Sequence, residues 1–434
     1  MADVSFVRKE MIPAVAPPSG AIGPIRWARE NLFSSWLNSI LTILSVAGLW
    51  WLVAHMLPWF THSVWNAGSL TECRQIIQAT WGDGVSGACF AVIRERWKQF
   101  LFGFYPNTMY WRPTLAFILM FVALAPILVA ELPRKLLWFS MIFPGVAYWL
   151  LWGGTIFVPI MIYAAFLVGY LVHRFVSGVS SNLLGLIAAV VAVLVWWLYL
   201  TGPIAGVLGR ALPFLSLTPV TSKLFGGFML SITIGMTGIA FSLPLGILLA
   251  LGRRSDMFIV KSLSVGFIEF IRGVPLITLL LVATFLLNVF LPPGTNFDII
   301  LRVIIMVTLF SAAYMAETIR GGLAALPRGQ YEGADALGLD YWQSMRLVIM
   351  PQALKISIPS IVGNFISLFK DTTLVAIIGL LDPLGLVVAI RADSNWNGIV
   401  WELYGFVALI FFLCCYGMAL YSKYLERKLR TDHR

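Results

Sequence analysis

The sequence predicts an all-α integral membrane protein of about ten transmembrane helices, and three observations lead to that prediction. Of its 434 residues, 59% are hydrophobic and only 12% are charged, whereas soluble domains carry about 25% charged residues. The mean hydropathy is +0.88. About ten apolar runs approach the roughly 20 residues that a helix needs to cross a bilayer. No soluble core absorbs this much apolar surface, so lipid is the expected solvent for most of the chain.

The predicted spans follow one another along the chain with polar connections between them. They are 36–57, 113–130, 136–152, 155–172, 183–201, 224–251, 267–291, 299–317, 357–380 and 401–423. The third and fourth are the hardest to separate, because only Gly153, Gly154 and Pro159 interrupt the run from Leu136 to Val172. That stretch fits two short spans or one long kinked span.

The basic residues predict the orientation of the chain. The net charge is +10, and the lysines and arginines lie between the apolar runs, which favours the positive-inside bias over nucleic-acid binding. With the N-terminus inside and an even number of spans, the short outer loops hold only Arg210, Lys223 and Arg391. We therefore expect both termini to lie in the cytoplasm.

Motif content and composition divide the chain into four segments, with the expected joint between the two halves near Pro213 to Lys223. The segments are a cytoplasmic N-terminal tail at 1–35, a five-span extension at 36–223 with a large outer loop at 58–112, a five-span core at 224–425 with an inner loop at 318–356, and a basic cytoplasmic tail at 426–434. The first segment has no short apolar core with a cleavage site, so it does not read as a signal peptide.

The inner loop predicts a short helix followed by a turn. Pro327 and Gly329 mark a turn at its start. Tyr331–Leu337 is a good helical sequence, and Gly338 is suited to end it in a left-handed conformation.

A second short helix is predicted directly after this turn. Asp340 is a suitable N-cap, and Gln343, three residues on, completes a capping-box-like pattern. The pair Met350-Pro351 is expected to close the helix. Two short amphipathic helices would form a rigid projection suited to a groove on a soluble partner.

This loop resembles the coupling loop of permease subunits of ATP-binding-cassette (ABC) importers. That loop has the pattern Glu-Ala-Ala, three residues, Gly, nine residues, Ile-x-Leu-Pro, and this chain has Glu332, Gly333, Ala334, Gly338, Val348, Met350 and Pro351 at the same spacing. Three positions depart conservatively from the pattern, and one of them, Gly333, weakens a helix by up to about 1 kcal/mol relative to alanine. The resemblance implies that a separate ATPase dimer grips the loop over 327–351. The coupling residues would be Gly329, Gln330, Glu332, Gly333, Ala334, Gly338 and Pro351.

Three further motifs resemble the polar amino acid-uptake branch of the same family. They are Glu269-Phe-Ile-Arg272-Gly273-Val-Pro275, then Ala312-Ala313-Tyr314-Met-Ala316-Glu317-Thr-Ile-Arg320-Gly321-Gly322, and then Lys370-Asp371-Thr372-Thr373-Leu374. The resemblance covers about 224–425, half of the chain, and implies that the last five spans form a type I ABC importer permease core. The additional spans ahead of it are similar to the long permeases of general L-amino-acid importers in the bacterial inner membrane.

The resemblance also implies a division of labour in which this chain is a permease and not an enzyme. ATP and Mg²⁺ would be bound by a separate ATPase dimer, a second permease would complete the pore, and a periplasmic binding protein would deliver amino acids. The sequence has no Gly-x-x-x-x-Gly-Lys-Ser/Thr phosphate loop. We expect this chain to bind no cofactor, metal or nucleic acid itself.

Charged residues inside spans are the candidates for the substrate path. Lys370 and Asp371 are predicted in the middle of the ninth span, where they would match the two charges of an amino acid zwitterion; a structural ion pair to neighbouring helices is the alternative. Glu269/Arg272 and Glu317/Arg320 each have an i, i+3 spacing.

For these two pairs, an inner gate of crossed salt bridges is the functional interpretation, and local interfacial ion pairs are the favoured one, because side chains near span ends reach water. Arg302 is interpreted as an interfacial anchor near the outer surface. Pro244 and Pro275 lie inside predicted spans, where they would kink the helices.

The outer loop 58–112 contains Cys73 and Cys89, which are a candidate disulfide if the loop faces an oxidising compartment. Its aromatic residues predict either a docking surface for the binding protein or, near 100–111, a membrane-interface belt. They are Trp65, Trp81, Trp97, Phe100, Phe102, Phe104, Tyr105, Tyr110 and Trp111.

Two other classes of function are weaker fits to the sequence. An ion-coupled secondary amino acid transporter often carries two half-chain repeats and needs an ion site, and neither is visible. A membrane enzyme would need a convergent nucleophile, acid–base or metal set, and none is recognisable.

Overall fold

A computed structural model describes residues 23–129, 131–290 and 298–429, and its described residues are almost entirely helical. Most of the predicted tail 1–35, the predicted outer end of the seventh span and the last five residues lie outside this range. The chain divides into two compact units, residues 1–91 and 92–434.

The first unit contains three complete helices among its described residues. They are α1 (Pro24–Asn31), α2 (Trp36–Thr61) and α3 (Leu70–Trp81). Ser35 caps α2 by accepting a hydrogen bond from the Asn38 backbone N–H, as serine does at helix starts. The described side chains of α2 bury nothing within the chain, and the helix is apolar all round, which suits a helix in lipid.

The second unit begins with α4 and continues with the remaining spans of the extension. These helices are α4 (Ala91–Phe102), α5 (Trp111–Leu128), α6 (Leu137–Trp152), α7 (Phe157–Val179), α8 (Asn182–Val195) and α9 (Thr201–Ala211). A π-helical turn at Trp196–Leu200 joins α8 to α9, so the two form one long candidate span.

The stretch 136–172 forms two spans, which decides between the two interpretations of the sequence. Helix α6 ends at Trp152, and Gly153 and Gly154 both adopt positive φ angles, 73° and 77°. Glycine reaches this region at little cost, whereas other residues do not. Gly154–Thr155 (β1) then pairs antiparallel with Ser216–Leu217 (β2), and α7 begins at Phe157.

The core half of the chain contains the remaining nine helices. They are α10 (Gly227–Arg253), α11 (Phe258–Gly273), α12 (Leu276–Phe290), α13 (Ile299–Ala324), α14 (Arg328–Ala336), α15 (Tyr341–Ser344), α16 (Met350–Asp371), α17 (Pro383–Arg391) and α18 (Trp401–Leu429). Helices α10 and α13 share the most extensive packing.

The prediction of about ten spans is confirmed within the described residues. Nine helices are long and apolar enough to cross a membrane, and a tenth candidate is the pair α11 and α12. That pair is bent by 101° at the break before Leu276. The sequence predicted one span over 267–291 with a kink at Pro275; the structure has a sharp turn there, because proline cannot continue the hydrogen-bond ladder of α11.

Apolar side chains from both halves of the second unit form one continuous core. Leu150 of α6, Leu230 of α10, Leu280 of α12 and Ile300 of α13 are at most 2% exposed and belong to the same cluster. A second cluster lies under the loop 318–356 and joins α10, α11, α13 and α16. The two clusters hold the core helices against the loop at one end and against α5 and α6 along the side.

Candidate functional site

The loop between α13 and α16 presents α14 to solvent with one face anchored. Gly329, Glu332 and Gly333 are exposed, whereas Ala334 is 2% exposed and faces the protein. Gln352 of α16 donates a 2.9 Å hydrogen bond from Nε2 to Gln330 Oε1. Helix α14 is therefore held by its inner face and leaves its outer face free for a partner.

The turn after α14 has the predicted left-handed residue. Gly338 has φ +70°, and its N–H donates to the Asp335 carbonyl at 2.9 Å. A Cβ at this position would meet no atom within 4 Å. The requirement for glycine here is therefore one of backbone conformation and not of space.

The capping box at Asp340 and Gln343 is confirmed. The Gln343 N–H donates to Asp340 Oδ1 at 2.8 Å, and the Asp340 N–H donates to Gln343 Oε1 at 3.1 Å. These two bonds satisfy donors that a helix start otherwise leaves unpaired.

The prediction that Met350-Pro351 closes the second helix is wrong. A wide π-helical turn at Met345–Ile349 leads directly into α16, with Pro351 at its start. Proline is tolerated in the first turn of a helix, where its missing N–H is not needed. The side chain of Gln352 donates to the Val348 carbonyl of this irregular turn at 2.9 Å. The loop is thus continuous with a membrane-spanning helix.

Large apolar side chains surround the exposed face of this loop. Leu337 is 78% exposed, Trp342 67% and Leu347 64%. Together with exposed Glu332 and Arg346 they form a mixed apolar and charged surface. Exposed apolar side chains rimmed by polar residues are typical of protein contact sites.

Behind the loop, the ends of three helices meet in a network of charged side chains. Arg253, the last residue of α10, donates from Nη1 to Glu269 Oε1 of α11 at 2.8 Å and to Glu317 Oε2 of α13 at 3.3 Å. Arg320 donates from Nε to Glu317 Oε1 at 2.7 Å. Glu317 is the centre of the network, and its side chain is 22% exposed.

One of the two i, i+3 pairs indicated by the sequence forms, and the other is rearranged. Glu317 and Arg320 pair with each other. Arg272 instead has its Nη1 3.8 Å from Glu317 Oε2, and its guanidinium carbon lies 5.6 Å from the centre of the Tyr314 ring. Arg272 lies in the last turn of α11, beside the bend, so it meets α13 and not its own helix. The contacts of Arg253 and Arg272 cross between helices, as the gate interpretation requires, whereas the Glu317–Arg320 pair is local to α13.

Arg254 extends this network to the loop. Its Nη1 donates to the Tyr331 hydroxyl at 2.8 Å, and Tyr331 belongs to α14. The neighbouring residue Arg253 contacts both glutamates of the network. The end of α10 therefore contacts α11, α13 and α14 through two adjacent arginines.

Lys370 and Asp371 lie inside the candidate span Tyr341–Ile378, at a change of helix type that the sequence did not indicate. They are the last two residues of α16, which gives way to a 3₁₀-helix at Thr372–Ile378. Thr372 and Thr373 donate from their hydroxyls to the Phe369 and Lys370 carbonyls, both at 2.8 Å; such bonds disturb a regular helix. In the described part of the chain, neither charged group forms an ion pair.

The interpretation of Arg302 as an interfacial anchor is wrong. The residue is 8% exposed and donates from Nη1 to the Thr284 carbonyl of α12 at 3.2 Å. This bond joins α13 to α12, and a buried guanidinium requires such acceptors. The apolar residues around Arg302 in the sequence gave no sign of a carbonyl 18 residues away.

In the outer loop, Cys73 and Cys89 are joined by a disulfide. Trp65 and Trp81 are more than half exposed, whereas Phe100 and Tyr105 are at most 1% exposed. Phe100 and Tyr105 thus belong neither to a docking surface nor to an interface belt. Burial also raises the pKa of the Tyr105 hydroxyl, which donates to the Leu151 carbonyl at 2.8 Å.

Asp382 is a buried carboxyl that the sequence did not single out. It caps α17, accepting from the Gly385 N–H at 2.9 Å and from the Leu384 N–H at 3.1 Å. Its residue is 0% exposed. Burial raises its pKa to about 6, against the opposing effect of these two hydrogen bonds.

The residues missed by sequence analysis are those that join distant segments. The sequence assigned no role to Arg253, Arg254 or Gln352. The partners of the two arginines lie between 16 and 77 positions away in the chain. No local spacing in the sequence reveals such contacts. Tyr331 lay within the predicted helix, but its partner was not visible.

Comparison with known proteins identifies the family of this chain. Residues 242–431 match the family described as binding-protein-dependent transport system inner membrane component. The chain is 60% identical over 436 residues to the glutamate/glutamine/aspartate/asparagine transport system permease protein BztC of Rhodobacter capsulatus, covering 100% of both chains.

Two further comparisons cover 93% and 46% of this chain. The inner membrane amino-acid ABC transporter permease protein YhdY of Escherichia coli is 39% identical over 409 residues, 93% of each chain. A crystal structure of an amino acid ABC transporter with histidines is 28% identical, covers 46% of this chain and 91% of that one, and has a TM-score of 0.42.

Proposed function

Because this chain belongs to the polar amino acid-uptake branch of ABC importer permeases, as a multi-pass protein of the inner membrane, we propose that it forms one part of the pore of an ATP-driven amino acid importer. A separate ATPase dimer would hydrolyse ATP with Mg²⁺, a second permease would complete the pore, and a periplasmic binding protein would deliver the substrate. This chain would supply the path and the contact with the ATPase.

The observation that carries this proposal is the connection between the loop and the charged network. Helix α14 is exposed on one face, and its Tyr331 contacts Arg254 on the other. Arg253 next to it contacts Glu269 of α11 and Glu317 of α13. A displacement of α14 therefore reaches the ends of three helices through two residues.

The mechanism that follows is alternating access. Nucleotide binding to the ATPase would displace α14 and favour one arrangement of α10, α11 and α13, and hydrolysis would restore the other. In the described arrangement Glu317 holds Arg253, Arg272 and Arg320 together. We infer that this network closes the inner end of the path and opens when the loop moves.

The orientation follows from the same proposal. Since an ATPase is cytoplasmic, the loop 318–356 would face the cytoplasm, with both termini on that side, and the disulfide-containing loop would face the periplasm. An oxidising periplasm suits the Cys73–Cys89 disulfide.

The substrates we propose are L-amino acids over a broad range, with glutamate, glutamine, aspartate and asparagine first among them. The 60% identical relative carries these four in its name. Lys370 and Asp371 at the end of α16 would meet the zwitterion shared by all of them, since a carboxylate needs a cation and an ammonium group needs an anion.

Reconstitution of the complex tests the proposal. The chain is purified from membranes with its co-purifying subunits, placed in proteoliposomes, and assayed for uptake of labelled glutamate and glutamine with ATP. ATP-dependent uptake that requires a loaded binding protein is the expected result. A chain that purifies alone and takes up amino acids along an ion gradient, indifferent to ATP, would overturn it in favour of secondary transport.

A substitution at Glu332 tests whether the loop binds the ATPase. Glu332 is exposed on α14, and its reversal in Glu332→Lys should abolish ATPase co-purification while the chain stays in the membrane. Asp335→Asn, a neighbouring exposed position on the same helix, is the control for a general effect of charge.

A further inference from the structure

A tall apolar slot lies beside the core, separate from the charged network and from the loop. Its volume is about 870 Å³, within the range of small-molecule sites. The membrane-spanning helices α5, α6 and α10 supply most of its lining, and residues of α4 and α13 complete it. An empty cavity forfeits contacts for every atom that lines it, which favours occupation of this slot by an apolar group.

The slot follows the axis of the spans. Along α5 its lining includes Pro113, Phe117, Met120, Leu124 and Ile127, a spacing that keeps to one helix face. From the first to the last of these residues the helix rises roughly 20 Å, compared with about 15 Å for half of the hydrocarbon core. The slot is therefore long enough for an extended hydrocarbon chain.

Four hydroxyl groups along the spanning helices of the slot already donate to backbone carbonyls. Thr114 donates to the Tyr110 carbonyl at 2.7 Å, and Ser140 donates to the Ala123 carbonyl at 2.6 Å. Thr233 and Thr237 likewise donate to the carbonyls four residues earlier in α10, both at 2.7 Å. These four hydroxyls keep no proton to donate to a polar ligand. Passage of an amino acid through this slot is disfavoured, and hydrocarbon is favoured.

One end of the slot carries a charge suited to a phosphate. Lys98 of α4 lines that end beside Trp97, with its Nζ 5.7 Å from the centre of the indole ring. Asp298 also lines the end, but its carboxylate accepts from the Ile300 and Leu301 N–H groups and from the Ser222 hydroxyl. The carboxylate oxygens of Asp298 thus already have donors, whereas the lysine ammonium can donate to a phosphate, and Lys beside Trp is typical of the headgroup region.

From these observations we propose that the slot between α5, α6 and α10 is a phospholipid site, with an acyl chain along the slot and the phosphate at Lys98. The lipid fills the space between the extension and the core, so it is a structural part of the folded chain. This inference stands apart from the proposed transport activity.

Photocrosslinking of the complete chain tests the site without altering it. The chain is reconstituted in vesicles of three parts phosphatidylethanolamine to one part phosphatidylglycerol containing a phospholipid with a diazirine in its acyl chain. It is extracted in mild detergent, washed, irradiated and mapped by mass spectrometry. Label on the slot faces of α5, α6 and α10 that survives washing is expected. Label on α8, which is largely exposed to lipid, should be lost.

Matched variants test the geometry. Ala147 lines the slot, whereas Ile142 on the same helix does not and is 52% exposed. Ala147→Trp should reduce the retained label at least fivefold, and Ile142→Trp should leave it unchanged. Lys98→Gln should reduce retention several-fold, and Lys223→Gln, an exposed lysine outside the slot, should not.

Two results would overturn the proposal. One is label that washes off the slot helices of the unaltered chain as readily as it washes off α8. The other is efficient crosslinking of Ala147→Cys to a second permease chain in the assembled complex, which would make the slot a protein interface.

Discussion

Arg254 donates a hydrogen bond of 2.8 Å from Nη1 to the hydroxyl of Tyr331, and its guanidinium carbon lies 5.4 Å from the centre of the same ring. The first residue follows the end of α10, and the second lies in α14. Both a directional bond and a cation–π contact thus join a membrane-spanning helix to the exposed loop. The Tyr331 hydroxyl in turn lies 3.4 Å from the Leu323 carbonyl of α13.

Removal of this hydroxyl should uncouple ATP hydrolysis from transport. Tyr331→Phe keeps the ring over the guanidinium but loses the hydrogen bond, which is worth about 1 kcal/mol at this partly exposed site. We expect uptake per ATP hydrolysed to fall about fivefold, with assembly intact, measured in proteoliposomes. Tyr341→Phe, an exposed tyrosine of the same loop, is the control. Equal losses in both variants would contradict a specific role for the Arg254 contact.

Neutralisation of Glu317 should weaken the network more than neutralisation of Glu269. Glu317 meets three arginines, whereas Glu269 meets only Arg253 among the described residues and is 53% exposed. Partly exposed ion pairs contribute up to about 1 kcal/mol each, so Glu317→Gln should change the equilibrium between pore states roughly tenfold.

The measurement for this pair is protease accessibility of the inner loops with and without nucleotide. Glu317→Gln should make the nucleotide-free state more accessible, and Glu269→Gln should have a smaller effect. High salt should move the unaltered chain in the same direction, since salt screens exposed pairs. A larger effect of Glu269→Gln would exclude Glu317 as the centre.

A branched side chain at Gly338 should disable the loop through backbone conformation alone. A left-handed conformation costs an L-residue roughly 1–2 kcal/mol, and there is open space around this position. Gly338→Val should therefore prevent ATPase co-purification while the chain remains inserted. Gly333→Ala, in a helical position with equal space, should stabilise α14 by up to about 1 kcal/mol and retain binding. Normal co-purification of Gly338→Val would refute the requirement for this turn.

Loss of the charge of Asp371 should impair transport and leave assembly intact. Asp371→Asn keeps the shape of the side chain but removes the partner we propose for the substrate ammonium group. Uptake should fall at least tenfold, with ATPase co-purification unchanged. Asp83→Asn, at an exposed position in the disulfide-containing loop, should leave both uptake and ATPase co-purification unchanged. A parallel loss of assembly and uptake in Asp371→Asn would favour a structural role.

The stability of the chain should depend on pH through Asp382. Its pKa is raised to about 6 by burial, so the folded chain keeps a proton that the unfolded chain releases near pH 4. The contribution of this proton to the free energy of unfolding is fully present below about pH 4, and it is lost as the pH rises through about 6. Between pH 5 and pH 7 the loss is about 1 kcal/mol by linkage.

Thermal unfolding in detergent measures this effect. The Tm of the unaltered chain should fall from pH 5 to pH 7. Asp382→Asn keeps an acceptor for the Gly385 N–H but cannot ionise, so this part of the slope should disappear. Asp340→Asn, at an exposed N-cap, should keep the slope. An unchanged slope in Asp382→Asn would assign the pH dependence to another group.

The spans and the turn residues were predictable because they depend on local chemistry. An apolar run of about 20 residues is enough to identify a span. Gly338 and Asp340 likewise indicate a helix end and a helix start within a few residues of themselves. The contacts of Arg272 and Arg302 were not predictable, because they depend on which helix end arrives beside them. A bend of 101° before Leu276 redirects α12 in a way that one proline in the sequence does not specify.

The position of Lys370 and Asp371 shows the same limit. Their place in an apolar run predicted a position inside a span, but it gave no sign of the change to a 3₁₀-helix directly after Asp371, where two threonine hydroxyls donate to backbone carbonyls. For Glu317, the i, i+3 spacing indicated the pair with Arg320. The contact between Glu317 and Arg253 was not predictable, because the two residues are 64 positions apart in the chain.

The continuity of α15, the π-turn and α16 makes this segment a lever. From Tyr341 to Asp371 the chain is helical without a break, a rod of roughly 45 Å. A tilt of about 10° around its middle displaces each end by roughly 4 Å, given that length. The segment begins in the loop and ends at Lys370 and Asp371, so a small displacement of the loop would move these two charged groups by roughly 4 Å.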